Sequence, residues 1–60
     1  MNVLREQLLD RMVRIYGFEH GIVIDFAKMC ESYPKGEQWD KCLRVLVECH
    51  EESPYIEDEE

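Results

Sequence analysis

The chain has 60 residues, of which 45% are apolar and 35% charged, with a formal net charge of −7. One domain is expected at this length, and the apolar content is too high for a wholly disordered chain. The acidic balance excludes the basic surface that direct nucleic-acid binding requires. No run approaches the roughly 18 apolar residues of a membrane span. The charged N-terminus does not resemble a signal peptide, so we expect a cytoplasmic protein.

The first predicted helix spans about residues 2–16. Its apolar side chains recur on one face at the helical step of roughly 100° per residue, and charged residues occupy the other face. Asn2 is predicted to cap the start, because its side-chain oxygen can accept a first-turn N–H. Gly17 is predicted to end the helix in the left-handed conformation that glycine adopts without strain.

The second predicted helix spans about residues 19–32. Its apolar residues keep a helical period over three turns: Ile22, Val23, Phe26, Ala27 and Cys30. This period outweighs the β-branched run at 22–24, which would also suit a strand. Ile24 is the exception and is predicted to face the polar side. Pro34 ends the segment, since it forbids a further helical turn and restricts Tyr33.

The third predicted helix spans about residues 37–52. Its first-turn acids, Glu37 and Asp40, complement the helix dipole. Its apolar arc is on the order of 200° wide and comprises Trp39, Cys42, Leu43, Leu46, Val47, Cys49 and His50, with Val45 at its border. A helix packed against one neighbour needs only about 100°. The third helix therefore lies between both other helices or leaves apolar surface for another chain.

Short connections between these helices predict an all-α fold, a small three-helix bundle with antiparallel neighbours. We expect a single helical domain over residues 1–53, followed by a short acidic tail, 54–60. The alternative is a helical hairpin with a separately placed third helix, completed by dimerisation.

The cysteines carry no metal or redox pattern. Cys42 and Cys49 are seven residues apart, so their Cα atoms lie about 10.5 Å apart along a helix. That separation is too long for a disulfide or a shared zinc ion. We interpret the three cysteines as small apolar core residues in a reducing compartment, with Cys30 able to approach Cys42 or Cys49 across an interface. No metal or cofactor is predicted.

No catalytic site is predicted either. The two serines stand at helix ends, where backbone capping is their usual role, and 60 residues leave little room for a ligand pocket. His20 is interpreted as a surface or boundary residue. His50 is interpreted as a partly buried capping histidine, and a pH-sensitive contact is the alternative.

The run LREQLL…IYGF…IVIDFAKMCESY resembles the small helical-hairpin phosphatases that act on sporulation response regulators. The shared features, over about half of the chain, are a leucine-rich first helix, a turn, and a second helix ending in tyrosine. The resemblance implies a hairpin of helices. The working motif of that family is Ser-Gln-x-x-Asp, and the nearest positions here are Phe26 to Cys30, without its polar anchors. The activity is therefore not transferred.

The composition and the wide arc favour a protein–protein interaction or self-association module, not an enzyme. The predicted partner-binding residues are Ile24, Trp39, Val45, Cys49 and His50. Trp39 is the best anchor, because aromatic residues dominate interface energetics, although a core tryptophan is an equal alternative. A second hypothesis is an acidic inhibitor, nucleic-acid mimic or antitoxin-like protein acting on a basic partner, since nine acids lie within residues 37–60. A weaker one is a helical-hairpin regulator of signalling proteins.

Overall fold

A computed structural model of the protein describes residues 3–54, and three helices account for most of them. They are α1 (Val3–Tyr16), α2 (Gly21–Ser32) and α3 (Glu37–Glu52). The described range contains no strand. The predicted all-α fold, a small three-helix bundle, is therefore confirmed. The Asn2 cap and residues 55–60 of the predicted tail lie outside the described residues.

The turn before α2 makes that helix begin two residues later than predicted. Gly17 has a φ of 104°, and its N–H donates to the Val13 carbonyl at 2.8 Å, which ends α1 as predicted. His20 then takes an extended conformation and caps α2, since its Nδ1 accepts the Ile22 N–H at 3.1 Å. A histidine in this capping position stands outside the helix that it starts.

Gly36 makes the corresponding turn before α3. Its φ is 153°, a conformation that side chains with a Cβ rarely adopt. Its carbonyl accepts the N–H groups of Trp39 and Asp40 at 3.1 and 3.0 Å, which closes the first turn of the helix. α3 therefore begins directly after this glycine, as the sequence predicts.

The core lies where the three helices meet, and each helix contributes two buried side chains. These are Leu8, Met12, Val23, Phe26, Leu43 and Val47. Helix α1 makes the main contacts with both α2 and α3, which meet each other less closely. Helix α1 is therefore the element that joins the other two helices.

Side-chain contacts fix the directions of the helices. Arg5, near the start of α1, hydrogen-bonds carbonyls at the end of α2, so these two helices are antiparallel. Arg5 also contacts Asp40 at the start of α3, and Tyr16 contacts His50 near its end, so α1 and α3 are parallel. Helix α3 thus packs within the bundle and is not a separately placed element.

Candidate interaction surface

One end of the bundle is organised around Arg5, a charged side chain that is only 6% exposed. Its guanidinium donates to Asp40 Oδ1 at 2.7 Å and to the carbonyls of Cys30, Tyr33 and Pro34 at 2.9, 2.9 and 2.6 Å. The end of α2 would otherwise have carbonyls without a helical partner. Arg5 therefore joins all three helices and caps α2, which is a structural role.

The other end of the bundle carries a cluster of Tyr16, His20 and His50. The Tyr16 hydroxyl and His50 Nδ1 are 2.7 Å apart, and the two rings meet edge-on. The His20 ring lies 4.9 Å from the Tyr16 ring, centroid to centroid. The cluster links α1 to the end of α3 and to the turn before α2. His50, predicted as a partner-binding residue, thus turns toward its own bundle.

An apolar groove of about 340 Å³ runs along the outside of α1 and α2. Its lining includes Leu9, Val13 and Ala27, and Lys28 and Glu31 lie at its edge. Two strongly exposed apolar side chains border it: Phe18 is 69% exposed and Ile24 is 45% exposed. Ile24, another predicted partner-binding residue, therefore belongs to this groove, away from α3.

Helix α3 presents a second exposed surface, which we name the outer stripe. It consists of Gln38, Cys42, Val45 and Cys49, all of which are exposed. Their spacing of four, three and four residues places them on one side of a helix, within about 60° at the helical step. Leu43 and Val47, which are fully buried, project from the opposite side of α3. The stripe therefore faces away from the bundle, and none of its residues is charged.

The outer stripe has two different edges. Trp39 and Leu46 lie along one edge, where the Trp39 ring meets the Tyr33 ring edge-on at 5.4 Å. Lys41 and Glu48 lie along the other edge, seven residues apart. The carboxylate of Glu48 is 3.9 Å from Arg44, a long contact between half-exposed side chains. None of the ion pairs within residues 3–54 involves Lys41. Lys41 therefore has no ion pair within this range, and Glu48 has only this long contact with Arg44 on this edge.

The prediction that the cysteines are core residues is wrong for Cys42 and Cys49, which are exposed, whereas Cys30 is half-buried. The wide apolar arc misled this interpretation, because only the part of α3 that faces α1 is covered. All three thiols are free. Burial raises the pKa of the Cys30 thiol, while the nearby Arg5 lowers it by less. Residues 3–54 contain no group of three His, Cys, Asp or Glu side chains placed to hold a metal ion.

Three of the five predicted partner-binding residues therefore share one region: Trp39, Val45 and Cys49 lie on or beside the outer stripe. Gln38, Cys42, Lys41 and Glu48 also belong to that surface or its edges, although they were not among the predicted partner-binding residues. The signal was present in the sequence, since residues 38, 42, 45 and 49 follow the four-three-four spacing of a helix–helix seam.

Comparisons with family models, curated proteins and solved structures gave no match. None of the helices within residues 3–54 is long and apolar enough to cross a membrane.

Proposed function

We propose that this protein is a self-association module that forms a homodimer through the outer stripe of α3. The observation that carries the proposal is the absence of charge on an exposed side of a helix in a chain that is 35% charged. Exposed surface of this kind marks interaction sites when it is contiguous. Trp39, which is 37% exposed, adds an aromatic anchor at the edge of the stripe.

The edges of the stripe favour a second copy as the partner. Lys41 and Glu48 carry opposite charges on the same edge, so one copy offers both the cation and the anion that another copy needs. A two-fold interface requires such self-complementarity, since each residue i that contacts j is matched by j contacting i. Association would also supplement a core that is small for an independent domain.

The charges of the described residues favour self-association over an acidic inhibitor. Three of the four arginines hold a carboxylate at close range: Arg5 with Asp40, Arg11 with Glu51, and Arg14 with Asp10. These pairs offset part of the acidic surface that a basic partner would use.

Two exposed free thiols on the stripe fit the cytoplasm, which we propose as the location because its thiols are kept reduced.

Sedimentation velocity over a dilution series tests the proposal. The wild-type protein is expected to change reversibly from dimer to monomer on dilution, and its melting temperature should rise with concentration. Val45→Glu should remain monomeric throughout, because it places two carboxylates close together in the interface.

The matched control is Ile24→Glu. Ile24 and Val45 are 45% and 46% exposed, but Ile24 lies in the α1–α2 groove. Ile24→Glu should therefore dimerise as the wild type does, and circular dichroism should show both variants folded. A wild-type protein that stays monomeric at every concentration would overturn the proposal. A dimer broken by Ile24→Glu and kept by Val45→Glu would move the interface to the groove.

A further inference from the structure

We infer that the two α3 helices of the dimer pair antiparallel, in a register where Gln38 faces Cys49 and Cys42 faces Val45 of the other copy. This inference rests on the proposed self-association and adds its geometry. The outer stripe has the alternating spacing of coiled-coil seam positions, with Cys42 and Cys49 at a and Gln38 and Val45 at d. An antiparallel pair brings each a position against a d position of its partner, and one register matches all four residues.

The same register places unlike charges opposite each other. Lys41 and Glu48 occupy the g positions beside the seam, where residues of two paired helices form ion pairs. In the antiparallel register Lys41 of each copy comes level with Glu48 of the other copy. The symmetry of the dimer produces this ion pair twice. A parallel pair would instead bring g positions beside e positions, so that Lys41 would lie beside Leu46 of the other copy and the ion pairs would be lost.

The other edge is consistent with the same register. Trp39 and Leu46 occupy the e positions, so each Trp39 comes beside Leu46 of the other copy. One side of the dimer seam is therefore apolar and the opposite side is charged. The helix dipoles of an antiparallel pair also oppose each other, which favours this direction over the parallel one.

A charge-exchange experiment tests the predicted ion pairs. Lys41→Glu and Glu48→Lys should each raise the dimer dissociation constant by about tenfold, since each change replaces two attractive pairs by two repulsive ones. The double variant Lys41→Glu/Glu48→Lys should return to within about threefold of the wild type, because the pairs are restored in reverse.

Two control variants separate these pairs from a general effect of net charge. Lys35→Glu and Glu31→Lys make the same changes in net charge at exposed positions outside the outer stripe and its edges. Both should leave the dissociation constant within about threefold of the wild type. Single α3 variants that bind as tightly as the wild type, or a double variant as weak as the single ones, would overturn the register.

A disulfide experiment tests the direction of the helices independently. Oxidation of a Gln38→Cys/Cys42→Ser variant should give a covalent dimer that joins position 38 to Cys49 of the other copy. Within one copy these positions are about 16 Å apart along α3, beyond the roughly 4.4–6.8 Å between Cα atoms that a disulfide allows. Peptide mapping by mass spectrometry identifies the joined positions.

Cys42→Ser alone is the control for the disulfide experiment. In the antiparallel register the two Cys49 residues are about 16 Å apart along the helices, so this variant should not form a Cys49–Cys49 disulfide. Such a disulfide would show a parallel pair and overturn the inference. In that case the self-association would stand, whereas a wild-type monomer would remove both proposals together.

Discussion

The Arg5 end of the bundle and the outer stripe of α3 invert the usual distribution of polarity. Arg5 is charged and buried, whereas Cys42, Val45 and Cys49 are uncharged and exposed. Arg5 can be buried because Asp40 and three backbone carbonyls receive its N–H groups. The residues of the outer stripe stay exposed, because α1 covers only the opposite side of α3. The difference shows that the neighbouring helices that a side chain meets decide its burial more than its residue type does.

The largest effect is expected from removing the buried charge of Arg5, the first of the two regions compared. Arg5→Met should lower the free energy of unfolding by about 3–5 kcal/mol, since it leaves buried polar groups without their donor. Urea denaturation followed by Trp39 fluorescence measures the change. Arg14→Met is the control, because the Arg14–Asp10 pair is exposed and should contribute less than about 1 kcal/mol. Equal losses in the two variants would contradict a structural role for Arg5.

The next largest loss of stability is expected on the buried side of α3, in comparison with its exposed side. Leu43→Ala should cost about 2–3 kcal/mol, because Leu43 is fully buried and the change leaves a cavity. Val45→Ala should change the stability of the monomer by less than about 0.5 kcal/mol. Both values come from urea denaturation at a concentration where the wild type is monomeric. A loss at Val45 as large as that at Leu43 would mean that the stripe is part of the core.

The helical period predicted the three helices and the apolar sides that supply the core, because both follow from local spacing. The boundaries of α3 and the end of α1 were also predictable, since Gly17, Gly36 and Pro54 stand where a helix must turn or stop. The later start of α2 was not, because a histidine cap depends on the path of the turn before it. His20 gives no strong capping signal in the sequence.

The candidate site was only partly predictable, because a helical wheel shows which residues share a side but not which neighbour covers that side. The apolar arc of α3 left open whether the helix lies between both other helices or keeps spare surface, and it placed Cys42 among packing residues. Arg5 was missed for a related reason. The wheel sets it on the same side of α1 as Leu8 and Met12, where a charged residue needs partners. Those partners come from α2 and α3, and only the folded chain brings them together.

A smaller effect is expected at the end of the bundle opposite Arg5. Tyr16→Phe removes the hydrogen bond to His50 and should cost about 1 kcal/mol. Tyr33→Phe is the control, because it keeps the ring that contacts Trp39, and within residues 3–54 its hydroxyl has no hydrogen bond. Thermal unfolding monitored by circular dichroism compares the two variants. Equal melting temperatures would show that the Tyr16–His50 contact adds no stability.

The smallest effect concerns the exposed ion pair between Arg11 and Glu51, which joins α1 to α3 at 2.7 Å. The hydrogen bond from Arg11 lowers the pKa of Glu51 below its ordinary value of 4.5, against a smaller opposing effect of desolvation. A carboxyl with a lowered pKa stabilises the fold while it is ionised, so this contribution is present at neutral pH. It is lost as the pH falls below 4.5 and through the pKa of the folded state.

Glu51→Gln should therefore melt slightly below the wild type at neutral pH, and the two should converge in acid. Glu52→Gln, at the neighbouring exposed position, is the control and should differ little from the wild type at either pH. A difference between Glu51→Gln and the wild type that persists unchanged in acid would show that the ionised pair is not its cause. Convergence would show that the Arg11–Glu51 pair stabilises the fold only while it is ionised. This pair is charged like Arg5 but exposed like the outer stripe, so its contribution is small.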